Sequence, residues 1–232
     1  MFSTTDRRRF LASAFVASGL GSSSGQSQTG AASPEDSEEI SFAHSGRYNI
    51  RDEDHFGIVN GHITVGVNYR DIGGLSGLYA PPYASTDFLL EVRVSGRPVP
   101  TSDYSWAPIE VRRKGRAGDI EVASETVLLH GRRGGIVRIT LTNRGSAVSE
   151  VPLQFNITGS FDRVDLWGFP RPQTQKQPTT ATAESNYVVR ANQAGGFAVA
   201  SDAPGRRWEP WSSHWETRLR LTPGGSQVVH TT

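Results

Sequence analysis

The stretch Trp215-Glu216-Thr217-Arg218-Leu219-Arg220-Leu221 alternates large or β-branched side chains with charged ones. Because successive side chains of a β-strand point to opposite faces, this alternation predicts a strand with one apolar and one polar face. The same period of two recurs in Val151–Ile157, Val137–Leu141 and Phe88–Val94. The sequence therefore predicts several half-buried strands that share a core.

Glycine and proline separate these segments. Regular alternation of short strands and turns favours a sandwich or a barrel. Beyond Ala32, no segment shows helical spacing of apolar residues over three turns, which disfavours an α/β fold. We predict an all-β fold, a large antiparallel β-sandwich of the supersandwich type. The turn signals are Gly73-Gly74, Pro81-Pro82, Ser95–Pro98, Gly131–Gly135, Asn143–Gly145, Gly195-Gly196 and Pro223–Gly225.

Paired arginines precede a short apolar run near the N-terminus. Arg7 and Arg8 stand before Phe10 and Leu11, and small apolar residues follow as far as Leu20. This order is typical of a twin-arginine export signal. The run is about half the roughly 20 residues that a membrane-spanning helix needs. We predict a removable, disordered signal over 1–32, a flexible linker over 33–47 and the sandwich over 48–232, in a periplasmic or extracellular protein.

The charge balance argues against two classes of partner. Lysine plus arginine total 24 and aspartate plus glutamate total 23, which does not indicate a one-sided basic surface for nucleic acid or acidic membranes. Loss of 1–32 would remove three arginines and one aspartate, which changes the formal charge from +1 to −1 and leaves no membrane anchor. Cysteine is absent, which excludes disulfides and thiolate metal sites. We predict no cofactor and no metal site, with calcium dependence left open.

Aromatic residues concentrate in two segments. Arg206–Trp215 holds three of the five tryptophans, and Phe161–Pro178, predicted to be a long surface loop, holds another. Aromatic faces stack on the apolar faces of sugar rings, so carbohydrate contact is one explanation and core packing the other. Strand parity favours the core for Trp215. The candidate ligand-binding residues are Trp167, Trp208, Trp211, Tyr79 and Tyr83.

No catalytic constellation stands out. Asp162 and Asp165 could form the carboxylate pair that glycosidic cleavage uses, although a spacing of three in a loop does not fix their separation. Glu209 is a third weak candidate, and solvated surface charge explains all three equally simply. We interpret His62, beside the strand predicted at Ile63–Tyr69, as structural.

Three segments carry a family resemblance: Gly57–Val67, Leu78–Tyr83 and Ile139–Asn143. With them, the region Tyr48–Thr232 resembles the N-terminal β-sandwich domains of bacterial glucoamylase-like and related six-hairpin glycosidases. The resemblance implies that a helical barrel beyond the sandwich carries the catalytic carboxylates, and that Leu219–Val229 forms the last hairpin of the sandwich. We expect no such barrel in this chain, so no catalytic residue is assigned by the resemblance.

Three functions remain open at this point. The first is a secreted, non-catalytic, carbohydrate-associated sandwich that is the N-terminal part of a glycoside hydrolase and works with a helical-barrel domain or subunit. The second is a structural or protein-interaction sandwich of the cell envelope. The third is mutarotase-like or glycosidase activity that uses Asp162, Asp165 or Glu209 directly.

Overall fold

The computed structural model describes residues 44–47, 55–68, 71–85, 89–159, 161–163, 180–183, 187–193, 195–204, 207–209 and 214–232. These residues form β-strands joined by turns. The predicted export signal, with Arg7, Arg8, Phe10 and Leu11, lies outside them. The strands are β1 (His44–Arg47), β2 (His55–Val59), β3 (Thr64–Asn68), β4 (Leu75–Ala80), β5 (Tyr83–Ser85), β6 (Leu90–Val94), β7 (Arg97–Pro98), β8 (Asp103–Ala107), β9 (Glu110–Ala117), β10 (Ile120–Leu128), β11 (Gly135–Asn143), β12 (Ser149–Ile157), β13 (Phe161–Arg163), β14 (Thr180–Ala183), β15 (Tyr187–Ala191), β16 (Gly196–Ala200), β17 (Arg207–Glu209), β18 (His214–Leu221) and β19 (Ser226–Thr231).

Two main sheets carry most of these strands, and a third sheet of three strands is joined to them. The first, which we call the small sheet, has the order β1-β8-β9-β10-β11-β19. The large sheet has the order β13-β5-β4-β6-β12-β18-β17, with β2 and β3 continuing from β4 and β7 paired to β6. The third sheet, β14-β15-β16, is linked to β19 by a bridge between Ser201 and Thr231. Every pairing between these strands is antiparallel, which confirms the predicted fold class.

The main core lies between the two large layers. Its buried side chains come from the small sheet, for example Ile139 and Leu141, and from the large sheet, for example Phe155, Trp215 and Leu219. These are the apolar positions of the alternating segments, so the predicted parity is confirmed. Burial of a side chain of this size contributes about 1.5–3 kcal/mol. The apolar side chains that define each strand by their alternation therefore also hold the two sheets together.

A second apolar cluster lies at one end of the sandwich. It brings Ile58 and Val65 of the large sheet against Val111 and Leu128 of the small sheet, and Trp106 packs at its margin. The indole of Trp106 donates a hydrogen bond to the Gly57 carbonyl at 2.9 Å. The sheets are thus joined at this end by packing and by a polar contact.

The predicted last hairpin is wrong. The segments that were expected to pair, β18 and β19, belong to different sheets: β18 pairs with β12, and β19 pairs with β11. The turn at Pro223–Gly225 therefore crosses from one sheet to the other. Alternation predicts strands at both ends of such a turn, but it does not distinguish a hairpin from a crossing, because the inward faces are apolar in both cases.

Asn143 joins this crossing to the neighbouring one between β11 and β12. Its side-chain amide donates to the carbonyls of Ala147 at 2.7 Å and Leu221 at 3.1 Å, and its side-chain oxygen accepts from the Gly145 amide at 2.9 Å. Asn143 is fully buried. It therefore satisfies backbone groups that two adjacent turns would otherwise leave unpaired.

Two predicted boundaries differ from the structure. The predicted linker over 33–47 overlaps β1, which pairs with β8, so the small sheet includes His44–Arg47. The predicted loop Phe161–Pro178 begins instead with β13, which pairs with β5. Neither segment alternates apolar and polar side chains over several residues, so periodicity did not predict either strand. Among the described residues we find no helix long and apolar enough to cross a membrane.

Candidate functional site

The outer face of the large sheet carries two rows of polar residues, which we call the polar rows. Cross-strand register aligns the first row as Glu91, Asn156, His214 and Glu209, on β6, β12, β18 and β17. The second row is one pleat away and contains Arg93, Gln154, Glu216 and Arg207 on the same strands. Between the rows, Val92, Phe155 and Trp215 point into the core. Strand parity therefore places the members of both rows on β6, β12 and β18 on the face opposite the core.

Glu91 lies at the β6 end of the first row. Its carboxylate accepts two hydrogen bonds from the Arg93 guanidinium, from Nε at 3.0 Å and from Nη2 at 3.1 Å. The Asn156 amide donates a third to Glu91 Oε2. The Glu91 and Arg93 side chains remain 30% and 40% exposed, so a ligand can reach them. The paired geometry fixes the carboxylate and the guanidinium in one orientation.

Glu216 is the hydrogen-bonded carboxylate of the second row. It accepts a hydrogen bond from the Gln154 amide at 2.8 Å and lies 3.7 Å from Arg218 Nε. Its side chain is 30% exposed. Carboxylate, amide and guanidinium groups thus alternate over three adjacent strands. Such a surface can donate to and accept from several hydroxyl groups at once, and its carboxylates and histidine could also exchange protons with a ligand.

Tyr79 and Tyr83 do not form one site. Tyr79 pairs with exposed Thr64 and with Ala84, which places it on the outer face of the large sheet. Tyr83 pairs with Ala80, which packs against the second apolar cluster, so Tyr83 belongs to the inner face. Tyr79 stands four residues beyond Leu75, where β4 meets β6, which is about 13 Å along the strand. Tyr79 therefore shares a face with the polar rows but does not adjoin them.

Trp208 packs against the core. Its ring meets the Trp215 ring edge to face, with centroids 6.1 Å apart and planes at 75°. The indole is half-buried beside the main core. Packing explains its position, and a contact between its exposed edge and a ligand stays a prediction. Trp167 and Trp211 lie outside the described residues.

The carboxylate candidates are not brought together. Asp162 in β13 aligns with Ala84 and Tyr79, whereas the row that ends at Glu209 in β17 meets β4 next to Leu75. The two levels are about 13 Å apart along β4, which is too far for one catalytic pair. Glu209 instead aligns with His214 and extends the first polar row. Asp165 lies outside the described residues.

His62 is exposed in the turn before β3, and its backbone amide donates to Asn60 Oδ1 at 3.0 Å. The strand predicted at Ile63–Tyr69 begins at Thr64, so His62 precedes it, and Tyr69 lies outside the described residues. No cluster of three or more histidine, aspartate and glutamate side chains that could hold a metal ion occurs in the described part of the chain.

A buried carboxyl and a buried guanidinium lie between the sheets. Asp71 accepts hydrogen bonds from the Val92 amide at 2.6 Å and the Gly73 amide at 3.2 Å. Burial raises the pKa of Asp71 to about 7, against the lowering effects of the Val92 hydrogen bond and of Arg113. Arg113 donates to the carbonyls of Asp71 and Gly74, and burial lowers its pKa to about 10.

This pair is enclosed by protein. Asp71 and Arg113 are 4% and 1% exposed. A Cβ added at Gly74 would lie 2.5 Å from Asp71 Oδ2, so glycine is required for the chain to pass this close. A perturbed carboxyl often marks a functional site, but here no ligand could reach it. We interpret the pair as a connection between the sheets.

The alternation predicted the strands that carry the polar rows, but not that their polar residues form one surface. Glu91, Arg93 and Glu216 are ordinary polar positions of separate segments. Gln154 and Asn156 have the same parity within β12. The missing information was that β6, β12 and β18 are neighbours, which depends on contacts between residues far apart in the chain.

No protein-family model matches this chain, and no curated protein matches it. Two similar solved structures are a galactose mutarotase-like protein from Lactobacillus casei and a putative kojibiose phosphorylase from human microbiome. The first has a TM-score of 0.49 at 11% identity and covers 77% of this chain and 99% of its own. The second has a TM-score of 0.47 at 7% identity and covers 75% of this chain and 29% of its own. Similarity of this size carries no argument about function, and the resemblance to six-hairpin glycosidases stays a prediction.

Proposed function

We propose that this protein is an exported carbohydrate-binding β-sandwich that belongs to a glycoside hydrolase as its N-terminal part and holds sugar on the polar rows. It has no catalytic activity of its own in this proposal. The observation that supports the proposal is the hydrogen-bonded group formed by Glu91, Arg93 and Asn156 on the outer face of the large sheet.

Sugar hydroxyls both donate and accept hydrogen bonds, so their recognition favours carboxylate, amide and guanidinium groups held side by side. Glu91 and Arg93 fix each other, so little side-chain freedom is lost when a ligand binds. Glu91 and Glu216 are balanced by Arg93 and Arg218, which favours a neutral rather than a strongly acidic glycan.

The test is a titration of the protein against a panel of neutral oligosaccharides by calorimetry. Glu91→Gln replaces one carboxylate oxygen by an amide that cannot accept from Arg93, so the fork is broken. We expect the Kd to rise roughly tenfold or more, which corresponds to the loss of charge-assisted hydrogen bonds. Glu125→Gln is the matched control, because Glu125 forms ion pairs with Arg112 and Arg138 on the small sheet.

A saturable response that is equal in Glu91→Gln and wild type would remove the polar rows from the site. No response to any glycan, together with stable co-purification of an envelope protein, would favour the structural or protein-interaction sandwich instead.

Acid–base chemistry on the same face is the second candidate function. One observation favours it: His214 and Glu209 are direct cross-strand partners in the first polar row, which also contains Glu91. Polarimetry of anomeric sugars would detect a mutarotase-like activity. If activity is found, its loss in His214→Gln but not in Glu125→Gln would support this candidate.

A further inference from the structure

Three turns meet at the end of the sandwich that contains the second apolar cluster. The Val59 amide, at the end of β2, donates to the Pro108 carbonyl in the β8–β9 turn at 2.6 Å. The Leu128 amide donates to the Ile109 carbonyl at 2.9 Å. These bonds hold turns from both sheets together as one surface, which we call the sandwich tip.

Asn60 fixes the remaining turn of the tip. Its side-chain amide donates to the carbonyls of Leu129 at 2.7 Å and Arg132 at 2.8 Å, both in the β10–β11 turn. Its side-chain oxygen accepts from the backbone amides of His62 and Ile63. Side-chain and backbone hydrogen bonds therefore hold the three turns of the tip together.

Large apolar side chains are exposed at the tip. Val59 is 44% exposed, Ile109 45% and Leu129 39%. The other exposed large apolar residues of the described chain, Val148 and Val228, are elsewhere on the sandwich. Scattered exposed apolar residues need no explanation, but three on hydrogen-bonded neighbouring turns form a local feature.

The tip is also basic. His130, Arg132 and Arg133 are exposed in the β10–β11 turn, and neither arginine forms an ion pair with a described residue. Glu110, which follows Ile109 in the chain, is paired with Arg112. The positive charge of the tip is thus uncompensated by the carboxylates described around it.

We propose that the sandwich tip binds the surface of an anionic lipid bilayer. Exposed apolar side chains enter the boundary between headgroups and acyl chains, and nearby arginines attract anionic headgroups. Three half-exposed side chains offer far less area than the roughly 800 Å² per partner of a stable protein interface. Affinity for a bilayer combines the buried apolar area with electrostatic attraction, so a small apolar area beside two adjacent arginines fits an anionic bilayer better than a protein.

The test is co-sedimentation of the full chain with sucrose-loaded vesicles at low ionic strength. Vesicles of phosphatidylglycerol and phosphatidylcholine are compared with vesicles of phosphatidylcholine alone. All proteins carry Arg7→Gln, Arg8→Gln and Arg9→Gln, so that the N-terminal arginines do not contribute. The tip variants are Arg132→Gln with Arg133→Gln, and Ile109→Ser with Leu129→Ser.

We expect binding to the anionic vesicles only. The arginine variant should lower the partition coefficient by roughly 25-fold, since each basic residue near an anionic surface contributes about fivefold. The serine variant should lower it as well. The control combines Arg116→Gln, Arg220→Gln, Val148→Ser and Val228→Ser, which change the same residue types at exposed positions away from the tip.

Circular dichroism and thermal melts are used to check that each variant is folded. We expect every variant to fold, because the substituted side chains are exposed. Equal partitioning of the tip variants and the control would overturn the proposal. Equal binding to neutral vesicles would also overturn it, as would retention by an acidic polysaccharide without vesicle binding. The proposal does not depend on sugar binding, because the polar rows and the tip share no residue.

Discussion

The buried carboxyl of Asp71 predicts how stability depends on pH. Its pKa is raised from 3.8 to about 7 in the folded protein, mainly by burial. The folded state therefore binds more protons than the unfolded state between these values. The stability that protonated Asp71 contributes is fully present below pH 3.8 and is lost as pH rises through about 7.

Asp71→Asn removes this dependence because asparagine does not titrate. Between pH 5 and pH 8 the wild type loses about two pKa units of proton-linked stability at about 1.4 kcal/mol each, which is about 3 kcal/mol. The variant also leaves one of the two amides bonded to Asp71, those of Gly73 and Val92, without its acceptor, and this cost is the same at both pH values. We therefore expect the variant to gain about 3 kcal/mol relative to wild type when the pH is raised from 5 to 8.

The measurement is urea-induced unfolding of both proteins at pH 5 and pH 8, with the free energy of unfolding from linear extrapolation. Thr217→Val is the control, since it changes a buried neutral hydroxyl in the core and its effect should not vary with pH. A difference between Asp71→Asn and wild type that is the same at both pH values would refute the reasoning. So would a variant that loses stability relative to wild type as pH rises.

Three further predictions follow from other parts of the chain. Asn143→Ala should lower the free energy of unfolding by about 2–3 kcal/mol in urea titrations, because two carbonyls and one amide lose their partner; Asn143→Asp should not recover the loss, because a buried carboxylate would face the same two carbonyl oxygens. Trp208→Ala should cost about 2–4 kcal/mol and weaken the near-ultraviolet circular dichroism signal, since the edge-to-face contact with Trp215 disappears; unchanged stability would show that Trp208 does not pack in solution. Arg7→Lys with Arg8→Lys should keep the protein in the cytoplasm when export is followed by cell fractionation, and undiminished export would contradict the twin-arginine prediction.

The two proposals concern different surfaces with different physical origins. The polar rows arise because strands with the same parity are neighbours in the large sheet, so their outward side chains form a continuous field. The sandwich tip arises because turns from both sheets end at the same level and are joined by Asn60. Overall charge balance had argued against an acidic membrane as partner. That balance is an average over the chain, and it does not describe a local surface where basic residues lack acidic neighbours.

The candidate site was only partly predictable, because its residues become neighbours only when their strands pair in the large sheet. Glu209 and Tyr79 were identified as candidates, and both lie in strands of the large sheet. Their significance changed with the topology: Glu209 aligns with His214, and Tyr79 is separated from the polar rows along β4. Trp208 was left between packing and ligand contact, and its edge-to-face contact with Trp215 accounts for its position.

Alternation by itself determined which stretches of the sequence form β6, β11, β12 and β18 and which face of each strand is buried. This follows because the two-residue period is a local property of an extended chain, and apolar side chains on one face must leave water wherever the strand ends up. Tertiary structure alone decided which strands are neighbours, that β18 and β19 belong to different sheets, and that Asp71 and Arg113 are enclosed. Those outcomes depend on pairings between distant segments whose apolar faces are interchangeable in composition, so only the packing of the whole domain selects among them.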